Sequence, residues 1–232
     1  MFKQIIVTAL LAGLLAGLAF SVIQEFTTTP IILHAETFEG KALSAVHKPE
    51  APDGEEPWHP GDGFERTLFT ALSNVLTGIG FALIMVAGIV LSGRAVDGRS
   101  GVIWGIAGFA VISLAPALGL PPELPGTLTA DLGARQGWWL FCVVATGTGL
   151  WMLVFRQGAI WVPVGVALLA IPHLIGAPTP ERIGGAVPPE LAAHFAAASL
   201  ATAAIFWSML GWLSGRFWQR FEPEKSCERE FF

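Results

Sequence analysis

Residues 68–91 read LFTALSNVLTGIGFALIMVAGIVL, an uninterrupted stretch without a charged side chain. An α-helix rises about 1.5 Å per residue, and the hydrocarbon core of a bilayer is about 30 Å thick, so roughly 20 apolar residues span it. The stretch is long enough to cross a membrane as one helix. It therefore predicts a transmembrane segment rather than a helix of a soluble core.

Five further apolar stretches fill most of the remaining chain. Their approximate limits are 5–23, 102–118, 137–155, 160–175 and 191–213. The composition agrees with a membrane protein, because 53% of the 232 residues are hydrophobic and only 13% are charged, against about 25% charged in soluble domains. We expect an all-α polytopic membrane protein with six transmembrane helices. The stretches at 102–118 and 160–175 are short, and they need neighbouring helices to satisfy the backbone near Pro116 and Pro172.

The first stretch admits two interpretations. Lys3, the apolar run and the small residues of Ala19-Phe20-Ser21 resemble a secretory signal peptide with its cleavage site. The run is longer than the 7–15 residues usual for the apolar part of a signal peptide. We therefore expect a retained transmembrane helix, with cleavage as the alternative.

The basic residues predict the orientation. With the N-terminus in the cytoplasm, eight of the 13 Lys and Arg residues fall inside, as the positive-inside rule favours. This gives a multi-pass protein of the bacterial cytoplasmic (inner) membrane with both termini cytoplasmic. Residues 1–219 form one membrane domain and 220–232 a cytoplasmic tail. Residues 25–67 form a long external loop between helices 1 and 2, which we expect to be irregular because it is rich in Pro, Glu and Asp.

The histidines suggest where a metal ion binds, because all five fall on the predicted external side. Imidazole together with carboxylate suits divalent cations such as Co²⁺, Ni²⁺ and Zn²⁺. Solvated loop histidines without a metal are the competing interpretation. The candidate metal ligands are His34, Glu36, His59, Asp62, His173 and His194.

The predicted spans hold no charged residue in their middles, which argues against proton coupling through buried carboxylates. Asn74 and Thr77 are candidate path residues, although hydrogen bonding between helices is the favoured explanation for polar groups at this depth. The GxxxG spacings Gly13–Gly17, Gly101–Gly105 and Gly211–Gly215 predict close packing inside the protein. No catalytic group is expected, since the apolar Cys142 has no histidine beside it in the chain.

Several short strings resemble the CbtA family of predicted cobalt transporter subunits. They occur in order along the chain: TPII at 29–32, AExFE at 35–39, WxPxDGxERT at 58–67, APALGLPPELPG at 115–126, DLxxRQxWW at 131–139 and PHxxGAP at 172–178. The resemblance implies a cobalt permease linked to cobalamin supply. It also implies a partner, the small single-span subunit CbtB with a His-rich terminus.

These features together predict a membrane transporter subunit for cobalt uptake, with Co²⁺ as cargo, no bound cofactor and no nucleic-acid partner. The alternative is a scaffold or receptor in the membrane that docks the small His-rich subunit and transports nothing itself. Transport by the purified chain alone would distinguish the two.

Overall fold

The computed structural model describes residues 1–45, 60–61, 63–181 and 184–221, with the backbone alone for 39–45. These residues form helices and no strand, apart from one isolated antiparallel bridge between Thr127 and Gly185. The helices are α1 (Phe2–Phe26), α2 (Thr28–Ala45), α3 (Phe64–Ser92), α4 (Gly98–Ala117), α5 (Leu132–Phe155), α6 (Trp161–Ile175) and α7 (Pro189–Arg220).

The all-α polytopic architecture is confirmed, with a qualification on the number of complete spans. Among the described residues five helices, α1, α3, α4, α5 and α7, are long and apolar enough to cross a membrane. Helix α6 has 15 residues, which reach only about 22 Å. It lies between Gly158 and Gly176, whose φ angles of 115° and 86° are left-handed and incompatible with continuing a helix. The fifth predicted span, residues 160–175, is therefore short.

The first half of the predicted external loop is not irregular, because α2 occupies it from Thr28 to Ala45. Ile31 and Ala35 are buried one helical turn apart, the spacing that places two side chains on the same face. They pack against Leu124 and Val187 from two later loops. The composition of the whole segment 25–67 is polar on average and does not indicate this short apolar face. The expectation of an irregular loop was therefore wrong for residues 28–45.

Two helix pairs approach each other closely through glycines. Gly13 of α1 faces α3, where a Cβ atom would come within 2.4 Å of the Ile79 backbone. Gly101 of α4 faces α7, where a Cβ atom would come within 2.3 Å of the Gly211 carbonyl oxygen. Small residues allow such approach without a side chain between the backbones. The prediction that the GxxxG spacings mark internal packing is confirmed.

Helix α7 lies at the centre of the bundle and contacts α1, α2, α3 and α4. Its Phe206, Trp207 and Leu210 join small residues of α1 and larger ones of α3 in one buried apolar cluster. Large apolar side chains also cover the outer surface, for example Leu76 (61% exposed) and Ile84 (67% exposed). A soluble protein rarely shows such extended apolar surface, whereas lipid chains would cover it in a bilayer.

The bundle has two ends, which we name by the elements found there. The α2 end holds α2 together with the first residues of α3, α5 and α7. The terminal end holds the first residues of α1 and the last residues of α7, joined where Gln4 donates a hydrogen bond of 3.1 Å to the Trp218 carbonyl. Helices α5 and α6 pack together as a hairpin beside α4.

Candidate functional site

At the α2 end, Glu36 is bound by a basic residue instead of being free for a metal ion. Arg66, at the start of α3, donates to both carboxylate oxygens of Glu36, over 3.1 and 2.5 Å. This two-point hydrogen bond, opposed in part by desolvation, holds the pKa of Glu36 below its ordinary value. The two side chains are about one-third exposed, so the pair resembles surface ion pairs, which contribute about 0.2–1 kcal/mol. Its role is to fasten α2 to α3.

The Glu36–Arg66 pair should make the docking of α2 depend on pH. A carboxylate whose pKa is lower in the folded state stabilises that state above its unfolded pKa, and the stabilisation is lost as pH falls through the folded pKa. Hydrogen exchange of the α2 amides should therefore speed up as the pH drops below about 4, after correction for the intrinsic exchange rate. The Glu36→Gln variant should lack this acid step. An identical acid step in the parent and the variant would show that another group is responsible.

The three described histidines among the predicted ligands lie on three different helices. His34 is exposed on α2, with its ring beside Phe38 at 5.3 Å between centroids. His194 is exposed near the start of α7. His173 lies in the last turn of α6 and contacts the Trp138 ring edge-on, at 6.2 Å between centroids.

These positions do not produce a closed metal site. Helix α6 packs against α5 and not extensively against α7, so the short connection between α6 and α7 does not make them packed neighbours. Within the described parts of the chain, no three His, Cys, Asp or Glu side chains are grouped to hold a metal ion. The predicted ligands His59 and Asp62 lie outside the described residues.

The two predicted path residues lie on α3, and neither is among the residues that line the cavities described below. Asn74 donates hydrogen bonds to Ser21 Oγ (3.0 Å) and Gln24 Oε1 (2.6 Å) of α1. Thr77 is exposed on the outer face of the helix. The competing interpretation, hydrogen bonding between helices, therefore describes Asn74 in this structure.

A cleft lies at a different place at the α2 end, and we name it the polar cleft after the few polar side chains in its mostly apolar wall. It lies between the last part of α4, the start of α5 and the middle of α7, and has a volume of about 430 Å³. Apolar and proline side chains form most of its wall. The polar side chains that line it are Ser113, Glu123, Arg135, Gln136 and Ser199.

Glu123 and Arg135 form an ion pair in this cleft. Nη2 of Arg135 donates to Oε2 of Glu123, and each side chain is 27% exposed. Nε of Arg135 is buried without a hydrogen-bond partner in the structure. At least one of the five donors of the guanidinium group is therefore unsatisfied. Arg135 balances the charge of Glu123, but its guanidinium group is not fully hydrogen-bonded.

Deeper in the cleft, the wall is made by an irregular turn of α4. Residues Ala110–Leu114 form a π-helical turn, in which Ala115 N–H bonds back to the Ala110 carbonyl. Such single turns are rare and often occur at functional sites. Pro116 follows immediately, and because it has no N–H the ordinary helical bonding pattern is interrupted there.

Two serines line the cleft. Ser113 Oγ accepts a 3.1 Å hydrogen bond from Nε1 of the buried Trp207. A hydroxyl has two acceptor lone pairs, so one remains available at Ser113. Ser199 Oγ is buried and has no hydrogen-bond partner, which is costly unless a bound group supplies one.

The cleft thus offers a carboxylate, an amide and two hydroxyls to a cation, with an arginine as the resident counter-ion. Oxygen groups of this kind bind hydrated or partly hydrated divalent ions. The sequence interpretation did not identify these residues as a site. Glu123 and Arg135 were visible only as parts of family strings, and nothing in the sequence showed that α7 would bring Ser199 to the same cleft.

The comparisons with known proteins give one result. A family model, "Probable cobalt transporter subunit (CbtA)", matches residues 2–219. No curated protein and no solved structure matches the chain. The family is one of transporter subunits and not a class of enzymes, and the word subunit implies a further component. Because the model spans nearly the whole chain, the protein belongs to the CbtA family of probable cobalt transporter subunits.

Proposed function

We propose that the protein takes up Co²⁺ into the cell and thereby supplies cobalamin synthesis, with the polar cleft as the entrance to its path. The observation that supports this most is the carboxylate of Glu123 in a cleft that enters the bundle at the α2 end. The family membership supports the choice of cobalt.

The proposal places the α2 end outside the cell and both termini in the cytoplasm. Arg94, Arg99, Arg156, Arg216 and Arg220 all lie towards the terminal end, which agrees with the positive-inside rule. Exposed histidines such as His34 and His194 would then meet cations first and bind them weakly. A cysteine placed at Thr129 that reacts only from the cytoplasmic side would contradict this orientation.

In the cleft, the incoming cation replaces Arg135 as the counter-ion of Glu123. The cation keeps part of its hydration shell, and the amide of Gln136 and the hydroxyls of Ser113 and Ser199 supply further oxygens. Exchanging one positive partner for another avoids leaving an unpaired carboxylate in a partly buried place, which would be costly. Release of Arg135 is the step that distinguishes this mechanism from simple surface binding.

The further component would be the small single-span subunit with the His-rich terminus. It would capture Co²⁺ and raise its concentration near the cleft. In the alternative function, a scaffold that docks this subunit, the cleft would bind no metal and the small subunit would do the transport. The presence of a lined cleft in this chain favours transport.

The test is uptake by the purified chain in liposomes loaded with a metal-sensitive dye. We expect Co²⁺ to enter when it is added at the face that carries the α2 end, faster than Zn²⁺ at equal concentration. Addition of the small subunit should raise the rate further. If the chain alone admits no Co²⁺ and the small subunit alone does, the scaffold function is correct and the proposal is wrong.

A further inference from the structure

A second cavity lies at the other half of the molecule and takes no part in the proposed path. It is a groove of about 440 Å³ between α3, α4 and α5, towards the terminal end. Ile84, Gly88, Trp104 and Gly147 are among the side chains and glycines that form its wall. Helices α3 and α4 contact each other only slightly, which leaves the groove between them. Its depth in the bilayer and its apolar wall require an apolar occupant.

Arg94 stands at the rim of this groove. Its guanidinium group lies over the Phe155 ring, 4.6 Å from the centroid, and Nη2 donates a long bond of 3.4 Å to the Val154 carbonyl. No carboxylate among the described residues pairs with it. Arg94 therefore presents most of its donors to whatever lies beside the mouth of the groove.

The size of the groove indicates a narrow occupant. A transmembrane helix is about 10–12 Å across and about 30 Å long. The volume of such a helix is several times the volume of the groove. One acyl chain of a lipid is thin and apolar and can lie along it. Basic pockets between transmembrane helices are known to bind anionic headgroups, and Arg94 supplies such a charge at the level where a headgroup would lie.

We propose that the groove binds one acyl chain of an anionic phospholipid, with the lipid phosphate held by Arg94. This lipid closes the gap between α3, α4 and α5 and holds the α5–α6 hairpin against the remaining helices. The site is independent of the proposed transport function, since it shares no polar side chain with the cleft.

The experiment is native mass spectrometry of the purified full chain in detergent, with dioleoyl phosphatidylglycerol or dioleoyl phosphatidylcholine added at equal concentration. We expect the parent to retain one phosphatidylglycerol about fivefold more than phosphatidylcholine, the ratio that one interfacial basic charge supports. Arg94→Gln should lose this preference and Arg94→Lys should keep it. Arg99→Gln is the matched control, because Arg99 is exposed at the same end without lining the groove, and it should behave as the parent.

The acyl chain is tested by filling the groove. Gly147→Leu puts bulk into it, and the first added atom meets nothing closer than Val111 at 3.5 Å. Ile84→Trp fills it from α3, starting from a side chain that is already exposed. Both variants should retain less of either lipid. Unchanged retention in both, equal losses in Arg94→Gln and Arg99→Gln, or retention of a second protein chain in place of lipid would each overturn the proposal.

Discussion

Replacing Glu123 by Gln should lower Co²⁺ uptake by about tenfold or more. The substitution keeps the shape of the side chain and removes the charge that attracts the cation into the cleft. A hydrogen bond to a charged group is worth about 1.5–3 kcal/mol, and 1.4 kcal/mol corresponds to a tenfold change in affinity. The measurement is the initial rate of Co²⁺ entry into liposomes, at a Co²⁺ concentration below half-saturation.

The Arg135→Gln variant distinguishes a role of the Glu123–Arg135 ion pair in transport from a purely structural role. If Arg135 is the counter-ion that the cation displaces, Arg135→Gln should leave Co²⁺ affinity unchanged or strengthen it, because the cation no longer competes with an internal positive charge. If the pair only holds the start of α5 to the loop before it, both substitutions should lower uptake in parallel with thermal stability. If Arg135 is displaced by the cation, only Glu123→Gln should therefore lower uptake; if the pair is only structural, both variants should lower it.

Glu36→Gln is the matched control for these variants. Glu36 also forms an ion pair with an arginine at the α2 end, with a similar exposure, but it does not line the cleft. Its substitution should change uptake by less than about twofold, in keeping with the small contribution of exposed pairs. If Glu36→Gln loses uptake and Glu123→Gln keeps it, the cleft is not the entrance. The cation would then enter at the surface of α2, as the histidine pattern predicted.

The apolar stretches allowed the fold class to be predicted, because length and absence of charge are the physical requirements for crossing a bilayer. The glycine spacings were equally informative, since nothing but a missing side chain lets α4 and α7 approach as they do. In contrast, α2 was not predicted. Its apolar face consists of a few residues, such as Ile31 and Ala35, within a stretch whose average composition is polar.

The proposed cleft, unlike the fold, could not be predicted from the sequence. Ligand types were chosen by residue identity, and imidazole was taken as the strongest signal for a transition metal. The cleft combines Ser113 and Glu123, which are close in sequence, with the distant Ser199, which reaches them only through the packing of α4 and α7. The role of Asn74 could not be predicted from the sequence either. A polar side chain within a span can line a path or join two helices, and its neighbour decides between these roles. Here the neighbour is Gln24 of α1, so Asn74 joins two helices.

The largest effect on stability should come from placing a side chain at Gly211. A Cβ atom there would lie 2.2 Å from the Gly101 carbonyl oxygen and 2.7 Å from the Gly105 backbone, distances that no rotamer can relieve because both neighbours are main chain. Gly211→Leu must therefore separate α4 from α7. Overpacking typically costs about 1–3 kcal/mol and sometimes more, and this contact joins the central helix of the bundle to the helix that forms one wall of the cleft.

We expect Gly211→Leu to lower the midpoint of thermal unfolding in detergent and to shift much of the purified protein into aggregates on size-exclusion chromatography. Gly80→Leu is the control, because Gly80 lies within the span α3 with no atom within 4 Å of its Cβ position. It adds the same side chain to a membrane helix and should leave the midpoint unchanged or raise it, since leucine favours helix more than glycine does. If the two variants unfold at the same temperature, the close approach of α4 and α7 is not what holds the bundle together, and α7 is fixed by its contacts with α1 and α3 instead.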